Sequence, residues 1–321
     1  MRLIGGGCYT TTNSPVTTIS MVETAQNLPL QLERLAAQRQ LYSTAKTIFA
    51  WQVILGGPVA LLSALVAVFD PSYKAYVAIW GIAVTCSDAF WLTPWQRRLK
   101  DSAARVQEAF DCDVLQLPWN KVKTGKRPEP ELIDEQARSY EKRASSMPSL
   151  RNWYPPAVDA LPLHLARLVC QRSNCWWDAK QRRRYAAVLL GVIIVVFLIV
   201  FALSLRGGLT LESFVLTVAA PLSPAFVLGL RQFSEHRESA TRLEKLKDHV
   251  ESTWENGIGG APVDAVTQAS RALQDEIFEN RRKSPTVIDA LFKRLRTSYE
   301  RQMNRAADEY VQQAKHALRL K

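Results

Sequence analysis

Several familiar signatures are missing from this sequence, and each absence narrows what the chain can do. It has no HExxH, no GxxxxGK[ST] phosphate loop, no GxSxG elbow and no paired CxxC, so the common metallohydrolase, NTPase and hydrolase chemistries find no scaffold. Histidine is scarce, with four in the chain. His236 and His249 fall on one charged stretch, where a solvated role is the simplest reading. Cys170 and Cys175 have no histidine at ligand spacing, so no metal site is expected. Three of the five cysteines (Cys112, Cys170, Cys175) lie in the polar stretches predicted to be cytoplasmic, which argues against disulfides. The Gly257–Pro262 run GIGGAP lacks the Lys-Ser/Thr of a phosphate cradle and reads as a turn. No catalytic residue and no enzymatic activity are expected. The N-terminus lacks an apolar signal core, and residues 1–26, rich in Gly, Thr and Ser, are expected to be disordered.

Charge is absent from long blocks, and this absence says most about the fold. Ile48–Phe69 carries none and is long enough to cross about 30 Å of hydrocarbon. Tyr185–Leu205 is more apolar still, and Phe214–Leu230 is also uncharged. Ala75–Leu92 is the weakest block, being short and holding Asp88. The blocks form two hairpins, 48–92 (spans 48–69 and 75–92) and 185–230 (spans 185–205 and 214–230). The expected fold is therefore all-α: four transmembrane helices in two hairpins, with a mainly helical cytoplasmic domain from the middle (93–184) and C-terminal (231–321) segments. Residues 27–47 read as a cytoplasmic helix leading into the membrane.

What is abundant is positive charge: 41 Lys and Arg against 30 Asp and Glu, a formal +11. Lys74 and Arg206 are the only cations in the two short hairpin loops. Lys46, Arg97, Arg98, Lys100, Lys180, Arg182–Arg184 and Arg231 crowd the other ends, which places both termini and the middle segment in the cytoplasm. The predicted location is a bacterial inner membrane, multi-pass. Trp80, Trp91, Trp95, Trp176 and Trp177 sit near predicted membrane borders, as an aromatic belt would. The surplus charge suits anionic lipid headgroups and polyanionic ligands.

Within the spans, Gly57-Pro58 and Pro221 with Pro224 predict bends near mid-depth, either as gating hinges or as static kinks that improve packing. Asp88 costs about 2.5–3.5 kcal/mol in a helix centre, so it must face protein or a polar cavity. A bond to a neighbouring helix and a pore-lining role both fit. Between spans two and three, aromatic, Asn and Arg residues gather: Trp119 and Asn120; Asn152, Trp153 and Tyr154; Arg172, Asn174, Trp177 and Asp178. Rings stack on bases for about 1–3 kcal/mol each and Arg pairs with phosphate. This is an inventory for a nucleotide pocket, although the same tryptophans equally suit a small core and an interfacial belt. Ser284-Pro285 is expected to start the last helix, with Ser284 as N-cap.

Three stretches before the third span, SDAFWLTPWQRRLKDSAARVQEAFDCDVLQLPWN (Ser87–Asn120), NWYPP (Asn152–Pro156) and QRSNCWWDAKQRRRY (Gln171–Tyr185), precede ALQDEIFENRRKSPTVIDALFKRLR (Ala272–Arg296) after the fourth. As an ordered set they resemble the SMODS-associated four-transmembrane effectors of bacterial conflict systems, from about residue 28 onward. That resemblance implies a partner nucleotidyltransferase that makes a cyclic di- or oligonucleotide during phage infection. It also implies a cytoplasmic sensor coupled to a pore-forming or membrane-disrupting module. Arg281 and Arg282, within the last stretch, join the candidate ligand set. No cofactor is expected beyond that regulatory nucleotide, nor any DNA or RNA duplex partner, and a homo-oligomer is, because four helices enclose no wide pore. The alternatives are a membrane-anchored interaction or scaffold protein and an ordinary ion channel.

Overall fold

Helices make up the computed structural model, which describes residues 21–143, 147–208, 210–215 and 219–319, with no β-strand among them. In chain order these are α1 (Val22–Gln26), α2 (Pro29–Ile54), α3 (Ala60–Phe69), α4 (Lys74–Ser87), α5 (Thr93–Val114), α6 (Lys121–Thr124) and α7 (Pro130–Arg143). After them come α8 (Leu163–Arg206), α9 (Leu211–Phe214), α10 (Ala220–Ile258), α11 (Val263–Lys283) and α12 (Asp289–Leu318).

Among the described residues three helical runs, Pro29–Ser63, Ala75–Val114 and Leu163–Arg206, are long and apolar enough to cross a membrane. Each runs without a loop from an apolar end into a polar helical body. The first two do so through π-helical turns, Leu55–Val59 and Asp88–Leu92. The first π turn has a physical cause: Pro58 has no N–H to donate and its ring crowds the carbonyl one turn back, so the ladder widens by a residue. The region of the fourth predicted span is interrupted by residues outside the described set, but α10 likewise runs from an apolar start at Ala220 into a charged stretch that ends at Ile258.

α8 and α10 form the most extensive helix pair. In their apolar halves Phe197 meets Phe226 edge-on at 6.0 Å, and Phe201 of α8 meets Phe214 of α9 at 5.4 Å. A methyl group on Gly229 of α10 would sit 2.9 Å from Ile193 Cδ1 of α8. Gly229→Val is therefore expected to destabilise the pair by about 1–3 kcal/mol through overpacking, and Ile193→Ala to restore part of the loss. Thermal unfolding of the detergent-purified variants would show it; equal losses with and without Ile193→Ala would refute the contact.

The polar body is the packed part of the molecule. Leu35 and Leu41 of α2, Val106 and Phe110 of α5, Leu165 and Leu168 of α8, Trp254 of α10 and Leu273 of α11 are all at most 2% exposed and share one core. Two expectations need correcting here. The disorder expected to residue 26 stops at least by Val22: α1 buries Val22 and Gln26 completely, and the Gln26 amide trades hydrogen bonds with the Tyr154 backbone at 3.1 and 2.6 Å. Residues 1–20 lie outside the described residues. Ser284 does not cap the last helix, which starts at Asp289; it ends α11, its hydroxyl bonding Asn280 O and Ser239 Oγ at 2.5 and 2.6 Å. A buried hydroxyl between two helices outcompetes the local capping preference.

Candidate functional site

α5 is amphipathic, yet two carboxylates interrupt its inward face one helical turn apart. Glu108 and Asp111 are completely buried, a placement that demands full pairing. α11 supplies most of it. Asp111 accepts from Arg281 at 2.5 Å and from Gln274 Nε2 at 2.9 Å, and its other oxygen accepts from the Tyr154 hydroxyl at 2.6 Å. That hydroxyl in turn accepts from Asn174 of α8 at 2.9 Å. Glu108 accepts from Arg271 at 2.8 Å and from Gln274 Nε2 at 2.9 Å. Gln274 Oε1 accepts from Gln171 of α8 at 3.1 Å, and Gln171 is held by Ser270 at both ends, 2.8 and 2.9 Å.

Two buried anions thus face two guanidiniums, roughly neutralised, with amides completing the lone pairs. Burial, then the charge of Asp111, raises the Glu108 pKa, while the Arg271 contacts work against the rise. Burial alone would lower Arg271 and Arg281, but Glu108 and Asp111 respectively more than compensate and raise both. The network is a clamp: it ties α5 and α8, which continue into apolar runs, to α11, which does not.

Of the sequence-predicted ligand residues, Tyr154, Asn174 and Arg281 converge on Asp111. The others sit elsewhere and have protein partners. Asn120 caps α6 by accepting from Val122 N and Lys123 N, and donates to Asp275 at 2.8 Å. Trp119 donates to Gly125 O at 2.9 Å beneath the Arg127 guanidinium. Asn152, at φ +53°, exchanges two hydrogen bonds with Asn27. Trp153 lies edge-on to Phe110 at 6.3 Å with Arg39 over its ring. Arg172 pairs with Glu251 at 2.7 Å and stacks on Tyr310. Trp177 packs edge-on to Tyr299 at 5.5 Å, and Asp178 lies 2.9 Å from Arg182 Nε. Arg282 is exposed beside Glu279 at 3.0 Å. Reasoning from residue types missed Glu108, Asp111, Arg271 and Gln274. The usable signal was two carboxylates on the apolar stripe of α5.

In the apolar region, Asp88 accepts from Gln52 at 2.6 Å, and Thr93 lies 3.3 Å away, so it bonds to a neighbouring helix. Gly57 approaches α10, where an added methyl would lie 3.8 Å from Ala225 Cβ. Pro221 falls in the first turn of α10 and Pro224 one turn further on. Two open grooves of about 310 and 540 Å³ lie between apolar helices, one against α8 and α10, the other between α3 and α4. No metal-ligating cluster occurs among the described residues.

Long apolar helices that continue into a clamped, basic helical body define a helical membrane protein whose polar part is built partly from its own membrane helices. More particularly, the chain belongs to the family described as the SMODS-associating 4TM effector domain, whose model matches residues 20–310. It is 22% identical over 274 residues, 83% of this chain and 90% of the relative, to a protein of Bacillus cereus strain VD146 named a probable CBASS effector molecule. No solved structure matches.

Proposed function

We propose that this chain is a membrane effector of bacterial anti-phage defence, controlled by a cyclic di- or oligonucleotide on the cytoplasmic side and acting by oligomeric pore formation or disruption of the inner membrane. Its family and its Bacillus relative support the defence context. The positive-inside charge bias supports four spans with both termini cytoplasmic.

One structural observation carries the mechanism. α8 is a single helix of 44 residues from the core of the polar body to the far end of an apolar run, and α10 is a second of 39 residues. No flexible linker intervenes, so a tilt imposed on the body appears in the membrane. Among its described residues α4 buries none and exposes Tyr76, Ile79, Ile82 and Trp80, which leaves apolar surface for lipid or further subunits. Shifting a closed–open equilibrium from 1:99 to 99:1 takes about 5.5 kcal/mol of differential binding, within reach of base stacking and phosphate pairing shared over an oligomer.

The test is dye and potassium leakage from liposomes carrying the purified protein, titrated with a panel of cyclic di- and trinucleotides. Leakage that switches with one nucleotide upholds the proposal; properly inserted protein that responds to none refutes nucleotide control and favours a membrane-anchored interaction protein. Trp153→Ala and Arg172→Ala are each expected to shift the nucleotide midpoint at least about tenfold, the scale of one lost stack or ion pair, without impairing insertion. Unchanged midpoints in both would remove these residues from the ligand site.

A further inference from the structure

Where α8 leaves the polar body for its apolar run, α12 lies antiparallel against it. Arg172 stacks on Tyr310, Lys180 donates to Gln302 Oε1 at 2.6 Å, and Arg184 reaches Tyr299. The start of α12 therefore comes up to the membrane boundary. Its first residue, Asp289, pairs there with Lys46, two residues before the first apolar run.

At this level two basic side chains of α8 are held by rings rather than by carboxylates. Lys180 Nζ stands 4.7 Å from the Trp176 ring centroid and 5.2 Å from that of Tyr299, and Arg184 Cζ stands 5.4 Å from the same Tyr299 centroid. Trp176 and Trp177 meet Tyr299 edge-on at 5.6 and 5.5 Å, which fixes its ring between the two helices. The neighbouring carboxylates are engaged elsewhere: Glu244 by Arg183, Asp178 by Arg182 and Glu300 by Arg296. Among the described residues none pairs with Lys180 or Arg184. Arg184 is exposed and Lys180 half-buried, so a ligand meets both at the surface.

A cation held over a ring keeps N–H donors that an ion pair would use. Arg184 keeps the edge of its guanidinium. Lys180 gives one ammonium donor to Gln302 and keeps two. Depth selects what these donors meet. Arg184 immediately precedes the apolar run 185–205, and Lys180 lies one turn, about 6 Å, further into the body. The headgroup layer is about 5–7 Å thick on each side of the hydrocarbon, so both cations fall within it.

We propose that Lys180 and Arg184, flanking the Tyr299 ring, bind the headgroup phosphate of an anionic phospholipid in the cytoplasmic leaflet. The bound lipid holds the start of α12 against α8 at the membrane surface. This site rests on the membrane topology argued above and not on nucleotide control.

The experiment is thermal unfolding of the full chain in neutral detergent, titrated with short-chain phosphatidylglycerol or with phosphatidylcholine of the same chain length. Phosphatidylglycerol is expected to raise the unfolding midpoint at the lower concentration, a readout that needs no variant. Its apparent affinity is expected to fall about fivefold in Lys180→Gln or in Arg184→Gln and about thirtyfold in the pair, the scale of one and two basic residues at an anionic surface. Lys121→Gln with Lys126→Gln removes the same charge from exposed positions beyond the far end of α5 and should leave the affinity unchanged. Amide hydrogen exchange in α12 should slow when phosphatidylglycerol is added to the wild type, and not in the Lys180–Arg184 pair variant. Equal stabilisation by both lipids, or equal weakening in the two pair variants, would overturn the site. Displacement of bound phosphatidylglycerol by a cyclic dinucleotide would also overturn it, giving the cluster to the nucleotide. Nucleotide-switched liposome leakage is scored separately, so failure here leaves the effector reading standing.

Discussion

Replacing Asp111 by Ala is expected to cost the polar body about 3–5 kcal/mol, the scale for leaving one member of a buried pair uncompensated. The loss is large because three donors end on one fully buried carboxylate. Arg281, with only 10% of its side chain exposed, would be left without its counter-charge, and Tyr154 and Gln274 would each lose a bond. Asp111→Ala combined with Arg281→Met is expected to recover part of the loss, since no unpaired charge then remains buried. Urea unfolding of the detergent-purified protein, followed by tryptophan fluorescence, would measure both. A single variant within about 1 kcal/mol of wild type would show that the clamp is not closed as described, because even one unsatisfied buried group costs about that much.

The second large effect concerns transmission. Arg184 is exposed on α8 at the junction between body and apolar run, with its guanidinium over the Tyr299 ring. Arg184→Pro removes one ladder hydrogen bond and crowds the carbonyl four residues back, a cost of about 3 kcal/mol in a helix interior. The apolar run 185–205 is untouched, so insertion is expected to be normal. Nucleotide-switched leakage is expected to fall by about tenfold or more, because body and membrane segment then tilt independently. Arg184→Ala keeps the helix and removes only the ring contact, and should switch nearly as wild type does. A proline variant that switches normally would show that the signal travels by a route other than α8.

Much of the architecture was legible in the sequence because its causes are local. A run without charge has a favourable transfer energy summed residue by residue, whatever the rest of the chain does. α7 (Pro130–Arg143) likewise follows from an amphipathic pattern with an acidic start and a basic end. The site was legible only in fragments. Tyr154 and Asn174 stood out for ring and amide chemistry suited to a ligand, and Arg281 for its place in the family-like stretch, yet in the fold all three serve a carboxylate of α5. Nothing near Asp111 in sequence announces Arg281, which lies 170 residues away. Ser284 shows the opposite error: its sequence context reads as a helix start, and a long-range bond to Ser239 reassigns it to a helix end.

By itself, then, the sequence determined that the chain is helical, that apolar helices alternate with basic ones, and which family motifs it carries. These follow from hydrophobic transfer, helix periodicity and local order. Only the tertiary structure decided that Glu108 and Asp111 lock α5 to α11. It also decided that Arg182 of α8 meets His236 of α10 and the Pro285 carbonyl. The reason is that burial turns a side chain's charge from a cheap surface feature into a cost of several kcal/mol that a specific partner must offset. Which partner arrives depends on how distant helices pack, and no local pattern encodes that.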